Sequence, residues 1–225
     1  MWLAVGYKFS TRDSRRSTFD FRHSTLRNSR RLYTESMSDA FSAFPDSARL
    51  WLMAFPRPLD EGEKAKLAEG FESFRPHWKT HTTPIESGWM LLEDQIFAVV
   101  ENTMGTSPSG CSIDAMLRAS IKLASILESP FLDAQSILVR TAGKLRVVAK
   151  TEMESLLQDG TLDAATPVID LGLLELGQLR SGKLERPLAK TWIGRKYRAS
   201  LESRVSRADV SQEFRVEGYE STLYP

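Results

Sequence analysis

Residues 87–102 read SGWMLLEDQIFAVVEN, two apolar runs on either side of a short polar reversal near Asp94. Runs of that length around such a turn predict a β-hairpin, and a hairpin in mid-chain implies an antiparallel sheet. What flanks it decides what covers the sheet. Upstream, Asp60 and Glu63 have the Asp-x-x-Glu spacing of a capping box, which predicts a helix start. Leu67, Phe71 and Phe74 then recur at helical spacing until Pro76, which should end or kink the helix. Before that helix, RLWLMAF (49–55) is a short apolar run closed by Pro56 and Pro58, as expected of a buried strand.

Downstream, Ile113, Met116, Leu117, Ser120, Leu123, Ala124 and Leu127 fall on one side of a helical wheel, with Asp114, Arg118, Lys122 and Ser125 on the other. The pattern predicts an amphipathic helix over 113–128. SILVR and LRVVAK, joined by Thr141-Ala142-Gly143-Lys144, predict a second hairpin. Thr151 and Glu154 have the spacing of another capping box, for a short helix stopping at Gly160, and 167–171 predicts a last strand. This order predicts an α+β fold, a two-layer sandwich with helices on one face of an antiparallel sheet. Its nearest pattern is the split β-α-β-β-α-β order of ferredoxin-like domains.

Charge divides the chain. Residues 1–36 carry eight Lys or Arg against three Asp or Glu, a net +5, so that the whole chain's +1 leaves −4 from Met37 onward. A mildly acidic body has no broad footprint for nucleic acid. The segment 10–31, STRDSRRSTFDFRHSTLRNSRR, has neither strand nor helix period. The expected organisation is a disordered basic tail (1–44), one domain (45–200) and a polar tail (201–225). Three readings of the basic arm stand: a nucleic-acid arm with Phe19, Phe21 and His23 among its arginines, a transit peptide, or sequence upstream of a true start at Met37. A single cysteine cannot form an internal disulfide, which fits a reducing, cytoplasmic setting. The longest apolar runs fall far short of the roughly 18 residues of a membrane helix.

Three motifs bear on chemistry. GQLRSGKL (177–184) approaches the phosphate-binding loop G-x-x-x-x-G-K-[ST], but Leu184 replaces the magnesium-holding hydroxyl and Pro187 interrupts the helix that should follow. His77 and His81 are four apart and would share a face of a continuous helix, with Glu72, Glu86 or Glu101 as third ligands; the plainer reading makes them polar residues at a helix end, with no metal. In SGCSID (109–114), Gly110 permits a tight turn, Ser112 is a preferred N-cap, and Asp114 falls in the first helical turn. Capping accounts for these residues without chemistry. The alternative makes Cys111, at a helix entry, a nucleophile with His81 as its base.

Trp78-x-x-His81, the strand pair after it, SGCSID, and the Pro187 to Trp192 spacing together resemble a small uncharacterised bacterial family whose members often carry the label "ABC transporter ATPase". The likeness runs from about Arg49 to Tyr197 and implies one cytosolic domain, but no activity. The expected function is binding of a small ligand or partner protein without catalysis and without a cofactor, using Trp78, Gly110, Ser112 and Asp114. The Cys111/His81 thiol enzyme and the nucleic-acid arm are its alternatives.

Overall fold

The computed structural model describes residues 41–102, 109–198 and 201. The basic arm lies outside them, as do the residues after Leu201.

The chain enters a strand, β1 (Arg49–Ala54), and then a helix, α1 (Glu61–Phe74). The predicted capping box forms: Glu63 N donates to Asp60 Oδ1 at 2.8 Å, and Asp60 N donates back to Glu63 Oε2 at 2.9 Å. A 3-10 turn (Arg75–His77) follows, with Pro76 inside it, and leads into a small ribbon of β2 (Lys79–Thr80) and β3 (Thr83–Pro84). The predicted hairpin is β4 (Ser87–Leu92) and β5 (Ile96–Glu101), with Glu93 and Asp94 at positive φ in its turn. Then come α2 (Gly110–Ile126), β6 (Ser136–Thr141), β7 (Lys144–Ala149) and α3 (Met153–Asp159). The chain ends its described course with β8 (Pro167–Ile169), α4 (Leu176–Arg180), β9 (Glu185–Pro187) and α5 (Trp192–Lys196).

The class is α+β with antiparallel strands. The strands do not join in one sheet, however. Besides the β2–β3 ribbon, β1-β5-β4 form one sheet and β7-β6-β8-β9 another. The edge of β1 that the second hairpin would have taken is occupied by other backbone. Leu50 N donates to Leu174 O and Leu176 N to Ala48 O, both at 2.9 Å, and Leu132 N reaches Ala54 O at 2.8 Å. With that edge satisfied, β6 pairs with β7 and β8 instead.

The two sheets pack face to face. Leu50, Leu52, Met90, Ile96, Ala98 and Val100 of the first share a core with Leu138 and Ile169 of the second. On the opposite face of the first sheet, Phe97 and Val99 pack with Leu67 and Phe71 of α1 and Met116 and Ala124 of α2. On the opposite face of the second, Ile137, Val139 and Val168 pack with Met153, Leu157 and Ile193. The layers therefore run helices, sheet, sheet, helices. β5, central in its sheet and covered on both sides, is buried at all six residues, and its apolar run IFAVV is what a doubly covered strand requires. Gly70 sets the spacing of the helical layer, since a Cβ there would fall 2.2 Å from Leu123 Cδ2 of α2.

A charged cluster sits between the sheets. Arg140 Nε donates to Glu185 Oε1 at 2.9 Å, and Nη1 donates to Glu93 Oε2 at 2.9 Å and to the Gly143 carbonyl at 3.1 Å. Arg140 and Glu185 are buried, and Glu93 is partly so.

The folded body is also longer than 45–200. Phe41 and Phe44 are buried in the inter-sheet core, and Arg180 Nη2 donates to both their carbonyls, at 2.7 and 3.0 Å. Leu201 packs into the outer core. Removing these apolar side chains from water is what draws the ends in.

Candidate functional site

The start of α2 lies three residues earlier than the 113–128 spacing predicts. Ser109, not Ser112, is the N-cap, and its hydroxyl accepts from Ser112 N at 3.2 Å. Ser112 sits inside the first turn, buried, with its own hydroxyl donating to Ser109 O at 2.8 Å. The physical reason is spacing: a cap serves the amide three residues on, and Ser109 meets that condition for Ser112. Asp114 consequently falls beyond the first turn, exposed, where it pairs with Arg118 at 2.6 Å. Gly110 is helical rather than left-handed, and a Cβ on it would meet nothing within 4 Å.

Two hydrogen bonds fasten the β2–β3 ribbon to this helix start. Trp78, fully buried, donates its indole N–H to Ser112 O at 2.8 Å, and Ser109 N donates to the hydroxyl of buried Thr80 at 3.2 Å. His81 follows Thr80 in the ribbon's turn, at φ 53°. The ribbon thus brings His81 into the neighbourhood of Cys111, and both are exposed. Among the described residues neither side chain forms a hydrogen bond, so they are not an assembled dyad. His77 and His81 share no helix, because Pro76 ends α1 in a 3-10 turn and β2 separates them. Among the described residues no three His, Cys, Asp or Glu side chains gather in a way that could hold a metal ion.

Sequence spacing offers Glu101 only as one of three third ligands for the histidines; in the structure it is the most unusual group in this region. It ends β5, with no exposed surface, and among the described residues neither carboxylate oxygen has a hydrogen-bond partner. Strand alternation places it on the helix-covered face, in phase with Phe97 and Val99. Its register partners are Arg49 on β1 and Ser87 on β4, and in the next row Val99 lies between Trp51 and Trp89. α2 runs back over this face: Leu127, past its end, shares a cluster with Phe97 and Phe131, which stack at 6.3 Å. The helix start, bonded through Ser112 O to Trp78, which packs on Trp51 of the neighbouring row, lies toward the Glu101 end of the sheet, while Leu132, just past the helix, bonds Ala54 at the other end. Burial pushes the Glu101 carboxyl up to about 7, and Arg49 pulls weakly the other way. The aromatic surroundings are dense, with Trp78 set edge-on to Trp51 at 6.0 Å.

The other motifs resolve into structure. Residues 177–184 run along α4 and a turn through Gly182 at φ 74°, which is not the strand-loop-helix of a phosphate site. Trp192 is exposed beneath Lys150, whose Nζ lies 4.5 Å from the ring centroid. Among the described residues no helix is long and apolar enough to cross a membrane. No protein family, curated protein or solved structure matches the chain.

Proposed function

We propose that this is a non-catalytic binding domain, with its site at the end of the first sheet where Glu101, the tryptophans and the start of α2 meet. One observation carries the reading: the Glu101 carboxyl has no exposed surface and, among the described residues, no partner on either oxygen. Leaving a polar group in that state costs about 1–3 kcal/mol, and functional sites are one place where a fold carries such a cost. Trp78, Ser112 and Thr80 give the site a rigid wall, since Trp78 donates to Ser112 O, the Ser112 hydroxyl donates to Ser109 O and the Thr80 hydroxyl accepts from Ser109 N. The partner is a small molecule or a protein segment narrow enough to reach a buried group.

The test is a small-molecule fragment screen read by tryptophan emission, because Trp51, Trp78 and Trp89 surround the site. Saturable hits that disappear in Trp51→Ala are expected. Hits that bind Trp51→Ala unchanged, or a screen that leaves the emission unmoved, would place binding elsewhere and overturn the reading.

A further inference from the structure

We propose that Glu101 anchors a small organic cation, a protonated amine or amidine carried on an apolar or aromatic body. This names the ligand class of the site above and rests on that reading. The first support is a contrast within the same chain. Glu185 is also buried, and the fold has matched it with Arg140 at 2.9 Å. Glu101 is buried at least as deeply and, among the described residues, has no such partner. A structural carboxylate is matched by the fold itself; one left open at a sheet end is free to accept from a group that comes and goes.

The second support is chemical fit. Neither oxygen has a hydrogen-bond partner among the described residues, and a guanidinium or amidinium presents two N–H groups in the planar fork that a carboxylate accepts together, while an ammonium can serve one or both. A cation also brings the carboxyl to its charged form. The neutral acid releases its proton to solvent, the carboxylate forms, and the ligand's charge compensates it, so charge and protons balance. The third support is the neighbouring row. Trp51 and Trp89, both half-buried, flank Val99 on the same face, and Arg49 already lies with its guanidinium 5.8 Å from the Trp51 ring. An indole face that receives one cation can receive another.

The experiment uses the full chain, wild type and Glu101→Gln, titrated with benzylamine, benzamidine and tryptamine, and with benzyl alcohol as the uncharged control. Tryptophan emission reads binding of the first two and of the alcohol, and calorimetry in two buffers of different ionisation enthalpy reads all four. At least one cation should bind wild type saturably, bind Glu101→Gln at least tenfold more weakly, and release a fraction of a proton near neutral pH. Benzyl alcohol should not bind at the same concentrations. Equal cation affinity in both proteins, no proton release, or no cation binding at all would overturn the proposal. If benzyl alcohol binds both proteins alike and loses affinity in Trp51→Ala, the cation class fails while the binding site survives. Glu101→Gln is isosteric, and circular dichroism verifies that it folds; should it not, Glu101→Met serves as the second variant with the same expected loss.

Discussion

Arg140 Nη2 lies 2.7 Å from Glu185 Oε1 in the gap between the two sheets, and both side chains are almost wholly withdrawn from water. Such a pair is expensive to break and inexpensive to replace. Arg140→Ala should cost about 3–5 kcal/mol, because it strands a buried carboxylate, while Arg140→Met combined with Glu185→Met should cost far less. Glu93, the more exposed partner, can turn to solvent in either variant. Urea unfolding of Arg140→Ala, Arg140→Met, Glu185→Met and the Met double measures this; additive losses in the Met series would show that the two residues do not act as a unit.

Glu101 gives a pH dependence of definite sign. Its folded-state value is raised from 4.5 to about 7, so between those values the folded chain holds a proton that the unfolded chain has lost. Stability from this group is fully present below about pH 4.5 and declines as pH rises through about 7, by about 3 kcal/mol in all at 1.36 kcal/mol per unit. Arg49 is the charged group facing it from β1, and β4 offers only Ser87. The difference in stability between Glu101→Gln and wild type should therefore grow in favour of the variant from pH 5 to pH 8. A difference that is flat across that range would mean the carboxyl is not buried as described.

Local chemistry was legible where one short segment decides the outcome. The β4–β5 hairpin, the Asp60/Glu63 cap and the second hairpin, with Ala142 and Gly143 both at positive φ, all follow from residues close in sequence. What the sequence could not reveal depends on distant partners. The division into two sheets turns on residues 174–176 taking the edge of β1, more than 120 positions away. Thr151 and Glu154 fit a capping box in spacing, yet α3 starts from Glu152 with no side-chain cap. Ser109 and Ser112 are equally good caps by type, and only the helix start separates them. Glu101 did leave a signal, a carboxylate in phase with Phe97 and Val99 at the end of a doubly apolar strand. Its solitude depends on Arg49 lying against Trp51 instead.

Phe41 tests where the folded body begins. It has no exposed surface, meets Phe44 edge-on at 6.3 Å, and its carbonyl accepts from Arg180. Phe41→Ala should therefore lower unfolding free energy by about 3–5 kcal/mol, the usual cost of truncating a core phenylalanine. Measured by denaturant midpoint, a loss under about 0.5 kcal/mol would be that of a surface position and would return residues 41–44 to the tail.

The thiol enzyme makes the opposite prediction from the binding domain about one pair of residues. Cys111 is exposed, and among the described residues it shares no hydrogen bond with His81, which sits in a turn whose backbone is left-handed. If His81 were its base, removing the imidazole would slow reaction of the thiol by the 10²-fold or more that general base catalysis contributes. With the two acting independently, His81→Ala should change the rate of Cys111 alkylation by no more than about twofold, and Cys111→Ser should leave stability within about 0.5 kcal/mol, as exposed positions do. Iodoacetamide labelling followed by mass spectrometry measures the first, and thermal unfolding the second. A hundredfold fall in labelling on losing His81 would restore the nucleophile and base as the working pair and remove the case for a purely binding role.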